Sequence, residues 1–491
     1  MKVSKYLMLL LCIGLAIGCK KDLDTPTPEP VDTKEELIRD SIYYYYNLQS
    51  LWTEYVPDNR ILRTFTANYT SNLSLLNALK GLTPYHAGYA GSIDRFSFLE
   101  NADGSQLGRS SGVRMDTNTG FGVYFSWHII SETAAAPYVY FVEGGSPAQR
   151  AGISRGAILL SLNGDGNMTA PYECQGVGAT RSCRVLGSIP GRIDAALDAG
   201  TMSLKVRNVN GEEVESSLAN ETYTIRPILA DTVYNGTTKM GYLAFSSFEE
   251  VTNSNQNYQD FQRIFQRFET EGIKELIVDM RYNTGGYVHT AQYLANKIIP
   301  ASGAGKRMFT YQVNANLQPY TVRASSEYDF RPVNFVRNNN LELTKVYFLV
   351  TDATASAAEL LINVLKPHMK VVLIAEANRT YGKPVGFFGQ EIMGGEISLW
   401  AASFKTLNSN GDTDYWDGLF VDVPNVYDDV YRNFGDPREN MIARAISESN
   451  GSGATGSTLN RSAVARGTAS NPSRQTKIGV VNKPAEKNLI K

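Results

Sequence analysis

Short apolar runs alternate with longer amphipathic stretches along the second half of the chain. Gly241–Phe245, Glu275–Met280, Tyr347–Thr351 and Val371–Glu376 read as buried strands, and the stretches near 257–270, 288–298 and 356–366 read as helices. That alternation predicts an α/β layer fold over about residues 228–446. Pro367 closes the helix that starts at 356. Nearer the N-terminus, Ile38, Ile42, Tyr45, Leu48, Trp52 and Tyr55 recur at three- and four-residue steps. Thr33-x-x-Glu36 precedes them as a capping box, so an amphipathic helix is expected over 34–56. The tyrosines Tyr43–Tyr46 on it are read as core rather than as a binding surface. Helix-rich character is expected to continue to about residue 100.

The two ends differ in composition from this body. Lys2 and Lys5 precede an apolar run from Tyr6 to Ile17, then Gly18-Cys19. This reads as a signal segment over 1–18. Leu15-Ala-Ile-Gly-Cys19 resembles a bacterial lipobox, with Ala16 where leucine is usual, so lipidation of Cys19 is expected to anchor the chain to a membrane. No other stretch approaches the roughly 20 apolar residues of a membrane span. Residues 19–32, rich in Pro, Thr and acid, read as a tether. Residues 447–491 turn to Gly, Ser, Asn and Thr without periodicity and read as a disordered tail.

Charge adds little. The 47 basic and 49 acidic residues nearly cancel, so nothing overall points to nucleic acid as a partner. Cysteine adds more. Cys12 and Cys19 belong to the leader, and the body keeps only Cys174 and Cys183 in a polar, Gly-rich stretch. Their spacing is not a metal-ligand pattern. Export would let them close a disulfide; otherwise they are two free thiols.

The chemistry concentrates at strand ends. Val346-Tyr-Phe-Leu-Val350 delivers a small-residue turn in which Ser356 sits between alanines at a strand-to-helix corner. Such a corner exposes a side-chain oxygen and aims the following N–H groups at one point. Ser356-x-x-Glu359 alone is also an ordinary capping box. The strand Val371–Glu376 leads to Thr380-Tyr-Gly-Lys383, a glycine turn presenting one lysine. Glu275–Gly286 runs a third strand into a double glycine whose N–H groups can face a ligand. A serine and a lysine at neighbouring strand ends can form a nucleophile–base pair.

Asp279-Met-Arg-Tyr-Asn-Thr-Gly-Gly286, Thr354-Ala-Ser-Ala-Ala-Glu359 and Thr380-Tyr-Gly-Lys383, in that order, resemble the carboxyl-terminal processing (tail-specific) serine proteases over roughly residues 35–445. The resemblance implies a ClpP/crotonase-like core, Ser356 as nucleophile, Lys383 as base, and the N–H groups of Gly286 and Ala357 as oxyanion donors. No cofactor or metal is implied. The serine-to-lysine spacing slightly exceeds the family's usual one, and Ala377-Asn-Arg379 can hold the extra residues. The family's glutamine four residues past the lysine is here Phe387, with Gln390 further on. Of the histidines His86, His128, His289 and His368, only His289, just past the double glycine, is a rival base.

Residues 110–227 resemble a PDZ domain inserted in order between an N-terminal helical segment, 33–109, and the catalytic segment, 228–446. Gly120-Phe121-Gly122-Val123 resembles the loop that holds a terminal carboxylate on backbone N–H groups. Val142–Ala148, Ala151–Gly156 and Ile158–Gly164 match the rest of that pattern, except for Ala157 in place of aspartate. The resemblance thus implies an endopeptidase of the bacterial cell envelope, on the periplasmic face or cell surface, that cuts exported proteins near free C-termini. The alternatives are a catalytically inactive, lipid-anchored peptide-binding scaffold on the same fold, and a different enzyme on a crotonase-like core. The PDZ pattern and export signal disfavour the last. Retention of both Ser356 and Lys383 disfavours the scaffold, while Phe387 favours it mildly.

Overall fold

The computed structural model describes residues 32–108, 117–175 and 182–451. The expected signal segment, Cys19, nearly all of the tether and all but the first residues of the expected tail lie outside the described residues. Among the described residues no helix is long and apolar enough to cross a membrane.

The N-terminal helix α1 spans Lys34–Gln49. Thr33 and Glu36 close the capping box at its start. It stops earlier than the apolar spacing predicts because the tertiary structure claims the next carbonyls. Ser50 is extended, the Asn314 side chain donates to Leu48 and Ser50 oxygens, and Leu51 donates to Ala402. Tyr43 and Tyr46 are buried, so the tyrosine cluster is largely core, with Tyr44 exposed. Helix α2, Asn72–Gly81, follows. From there to about residue 100 the chain is short strands and turns, with a single 3-10 turn at Ala87–Tyr89 instead of the expected helix. Strand β1, Phe98–Asn101, is its main element, and its side chains alternate: Phe98 enters one aromatic cluster and Leu99 the cluster beneath α1.

Residues 117–227 form an antiparallel unit. Its strands are β2 Val123–Ile129, β3 Ala135–Val142, β4 Ile158–Leu162, β5 Thr201–Arg207 and β6 Glu213–Ala219, in the sheet order β6-β5-β4-β3-β2. Helix α3, Ile189–Leu197, packs Ile189, Ile193, Ala196 and Leu197 against Phe121, Val123 and Leu204. Ala157, where the family pattern has aspartate, is fully buried in this core. Cys174 and Cys183 face each other on a short hairpin and are disulfide-bonded.

The remainder is the α/β core. Strand β7 Ile228–Tyr234 lies antiparallel on β8 Met240–Phe245, and β9 Glu275–Asp279, β11 Lys345–Leu349 and β12 Lys370–Ile374 continue in parallel. Helices α4 Gln256–Glu271, α5 Val288–Ile298 and α6 Ala357–Leu365 cover one face, meeting Leu276, Val278, Val346 and Phe348. The opposite face buries Tyr242, Ile277, Tyr347 and Ile374 under the last helix, α7 Asn440–Ser449. Two covered faces explain why these strands read as continuous apolar runs. Phe261, Ile264, Phe265 and Phe268 supply the buried stripe of α4, each contributing roughly 1.5–3 kcal/mol by burial. Helix α7 runs to Ser449, a little past the predicted start of the tail.

A second sheet is built around the long hairpin of β13 Val385–Ile392 and β14 Ile397–Asn408. The other edge of β14 pairs with β10 Arg307–Val313 and with β1 from the N-terminal segment. The N-terminal segment is therefore woven into the same sheet as the strand that follows Lys383.

A buried ion cluster docks the 117–227 unit on the core. Arg281 donates to Asp279, Asp428 and Glu439, and Arg155 donates to Asp428, the Tyr282 hydroxyl and the Tyr140 carbonyl. Asp428 sits between two guanidiniums that hold its carboxyl down at about 2 against the burial that would raise it. A depressed carboxylate contributes stability that is complete above its unfolded value, near 3.8, and is lost as pH falls through about 2. Asp428→Asn leaves both cations short of a partner and should cost about 3–5 kcal/mol at pH 7. In urea unfolding the gap from wild type should hold steady down to about pH 4 and narrow below it. A gap that stays constant into stronger acid would contradict this assignment.

Candidate active site

Ser356 lies at the N-cap of α6 with φ 58° and ψ −119°, a left-handed backbone that only glycine adopts freely. Holding a serine there costs on the order of 1–3 kcal/mol, so the surroundings must impose it. They do. Thr354 donates its hydroxyl to the Met280 carbonyl at 2.9 Å, Thr351 donates to the Arg281 carbonyl at 2.6 Å, and Ala355 donates to the Asn283 carbonyl at 3.3 Å. The serine turn is thereby strapped along the turn that follows β9.

The double glycine sits against the serine. A Cβ on Gly285 would lie 2.7 Å from the Ser356 Cβ and 3.1 Å from the Ala357 nitrogen; one on Gly286 would lie 2.3 Å from the Phe248 carbonyl oxygen. Both have positive φ. Only glycine permits this approach. Phe248 donates to Gly285 and Tyr287 donates to Phe248, while the Gly285 N–H goes to Asn283 Oδ1. The N–H groups of Gly286 and Ala357 meet no acceptor among the described residues.

Glu359, one turn into α6, is fully buried. Its Oε1 accepts from the Thr380 hydroxyl at 2.6 Å and the Gly382 N–H at 2.8 Å. Its Oε2 accepts from the Lys383 N–H at 2.8 Å and the Ser356 N–H at 3.0 Å. Two donors sharing one oxygen brings the Ser356 and Lys383 nitrogens within about 6 Å of each other. Burial raises this carboxyl above the usual glutamate value, and its four donors oppose that shift. Three of those donors are backbone N–H groups that cannot accept, so the ionised form satisfies them all.

Lys383 is 3% exposed, with its Nζ 4.5 Å from the centre of the Phe387 ring. Tyr381, Val385, Phe387 and Trp416 belong to the aromatic cluster around it. Gly382 has φ 86°, and a Cβ there would strike the Trp416 carbonyl oxygen at 2.1 Å. Tyr381 donates to the Thr354 carbonyl, a second tie between the two turns. Gln390 bonds to Gln49, so Phe387, and not a glutamine, floors the lysine.

The other predicted residues lie elsewhere. Gly120, Phe121 and Gly122 are buried just ahead of β2 and Val123 is its first residue, also buried; the Phe121 and Gly122 carbonyls accept from the Ala148 and Glu143 N–H groups. His289 packs with its ring tilted against Tyr287, His86 pairs with Asp417, His128 with Ser126, and His368 with the Arg307 carbonyl. Among the described residues no group of three or more His, Cys, Asp or Glu is placed to hold a metal ion. Periodicity does not reveal that the N-terminal residues Tyr89, Arg95 and Phe96 line the lysine turn. The only signal is the aromatic density of that segment.

Residues 239–409 match Peptidase family S41. The chain is 26% identical over 246 residues to carboxyl-terminal-processing peptidase 3, chloroplastic, of Arabidopsis thaliana, covering 49% of this chain and 41% of that protein. It is 23% identical over 283 residues to the carboxy-terminal processing protease CtpB of Bacillus subtilis (strain 168), covering 54% and 48%. It thus spans about half the length of the curated relatives it matches. A crystal structure from Bacteroides fragilis NCTC 9343, assigned to the S41 proteases, superimposes with TM-score 0.59 at 21% identity, over 84% of this chain and 97% of that one. That likeness concerns the fold. The matches support a serine-type peptidase.

Glu359→Gln tests the clamp. An amide offers one acceptor oxygen where the carboxylate offered two, and it turns an NH2 toward buried donors. Each stranded donor costs about 1–3 kcal/mol. The variant should melt lower and label more slowly with a serine-reactive phosphonate at Ser356. Labelling at the wild-type rate would mean the carboxylate does not shape the serine turn.

Proposed function

We propose that this chain, whose residues 239–409 match Peptidase family S41, is a serine endopeptidase that cuts exported polypeptides near their C-termini. The observation that carries the reading is the shared carboxylate: one buried Glu359 holds the backbone of both Ser356 and Lys383. Neutral Lys383 takes the proton from Ser356 Oγ as Oγ attacks the scissile carbonyl carbon. The N–H groups of Gly286 and Ala357 receive the oxyanion, and one such donor typically lowers the barrier by about 3 kcal/mol. The lysine then gives its proton to the departing amine, leaving an acyl-serine. Water attacks that ester, its proton passing through Lys383, and Ser356 is restored. The apolar surround of Lys383 favours the neutral amine that this role requires.

The core is read as ClpP/crotonase-like and the 117–227 unit as PDZ-like. In that unit β2 is the outer strand of the sheet and runs from the Gly120–Val123 loop, a place where a peptide strand can add and end its carboxylate on the loop. With Cys19 lipidated, the enzyme would face the periplasm or the cell exterior. Phe387 in place of an orienting glutamine keeps an inactive peptide-binding scaffold as the second reading.

Phosphonate labelling separates them. The wild type should label at Ser356 and cleave an unstructured substrate, and Ser356→Ala and Lys383→Ala should each abolish cleavage. The double variant should be no worse than either single one, because the pair acts as a unit. Absence of labelling in the wild type would favour the scaffold. Retained cleavage by Lys383→Ala would move the base elsewhere, with His289 the next residue to test.

A further inference from the structure

One cation beside the proposed site, Arg95, forms no ion pair among the described residues. Arg95 follows Asp94, whose carboxylate accepts from the Phe96 and Ser97 N–H groups and the Ser97 and Tyr46 hydroxyls. That tight turn fixes the Arg95 backbone and fully occupies the nearest acid. The guanidinium lies over Tyr89, 3.7 Å from its ring centre, with Tyr381 at 4.7 Å. Tyr89 is itself held by its hydroxyl on the Trp416 carbonyl at 2.6 Å.

The remaining acids nearby are also committed: Glu359 to its four donors and Asp417 to His86 at 3.0 Å. A guanidinium carries five N–H donors. Here one terminal nitrogen makes a long contact of 3.5 Å to the Tyr381 carbonyl, and Nε is buried without an acceptor. Stacking satisfies the faces of the cation but not the donors at its edge. The site is therefore built to hold a planar cation in place and lacks an anion to complete it.

Its location relates it to catalysis. Tyr381, which Arg95 touches, donates to the carbonyl of Thr354, two residues before Ser356. At about 3.3–3.6 Å per residue, this places Arg95 within roughly five residues of extended peptide from the bond being cut. We infer that Arg95 is a specificity-determining residue that pairs with a carboxylate of the bound polypeptide. The carboxylate is either an Asp or Glu side chain close to the cleaved bond or the terminal carboxylate of a substrate cut near its end. The inference rests on the serine endopeptidase reading.

The test uses unstructured peptides, acetylated and amidated, that differ only by Asn or Asp at each of five positions on either side of one cleavage site. A further peptide, shortened and with a free acid end, separates the terminal carboxylate from side-chain carboxylates. At one position the wild type should favour the acidic peptide by about tenfold in kcat/KM, chiefly through KM, as expected for one charge-assisted pair. Arg95→Gln should bring that ratio to about one, and Arg95→Lys should leave it in between. A purely structural role would slow both peptides of a pair together and leave the ratio unchanged. No preference at any position, or a preference that survives Arg95→Gln, overturns the inference. If the wild type cleaves no peptide and takes no phosphonate, the endopeptidase reading fails separately. The same pairs titrated onto Ser356→Ala then decide: an acidic preference in Kd that disappears with Arg95→Gln sustains the role of Arg95, and equal affinities reject it.

Discussion

One buried carboxylate connects the parts of the proposed site. Glu359 stands at the position where a helix-capping glutamate would satisfy its own N-cap, and it does accept the Ser356 N–H. Its remaining lone pairs reach across to Thr380, Gly382 and Lys383, on a turn from a different strand. Burying an anion is expensive unless it is fully hydrogen-bonded. That penalty makes the arrangement selective, because displacing either turn strands the charge. A local capping device thus becomes the tie between a strained serine and a buried lysine.

The strain at Ser356 depends on its neighbours in turn. The double glycine is the only sequence that lets the β9 turn lie this close, and the Thr351 and Thr354 hydroxyls fasten the serine turn to it. Arg281, two residues after Asp279 at the end of β9, anchors the base of that turn in the ion cluster that also receives Arg155 from the 117–227 unit. The unit and the turn before the serine therefore meet in one ion cluster. Across the site, the N-terminal segment supplies strand β1 and the stacked Tyr89 and Arg95, so the lysine is enclosed by residues nearly 300 positions away from it.

Parts of this were legible in the sequence for a physical reason. Strands β8, β9, β11 and β12 are buried on both faces, so they appear as unbroken apolar runs between amphipathic helices. The site residues sit where those strands end. The hairpin of β13 and β14 was not legible in that way. Gly386 and Gly389 read as strand breakers, yet each is the space into which a ring fits: Cβ atoms there would lie 2.0 Å from Phe404 and 2.5 Å from Trp400. The early end of α1 arises from Asn314 and Ala402, and the docking of Arg155 from Asp428, all distant in sequence. Glu359 was visible only as a cap, because its second set of partners belongs to another strand.

The Glu359 carboxylate, rather than the two strands alone, holds the serine and lysine turns together. Amide hydrogen exchange at residues 356 and 380–383 tests it most directly, comparing wild type with Glu359→Gln. Protection at Ser356, Gly382 and Lys383 should fall together in the variant while β9, β11 and β12 keep theirs. Unchanged protection at all three amides would show that the strands suffice and that the clamp is incidental.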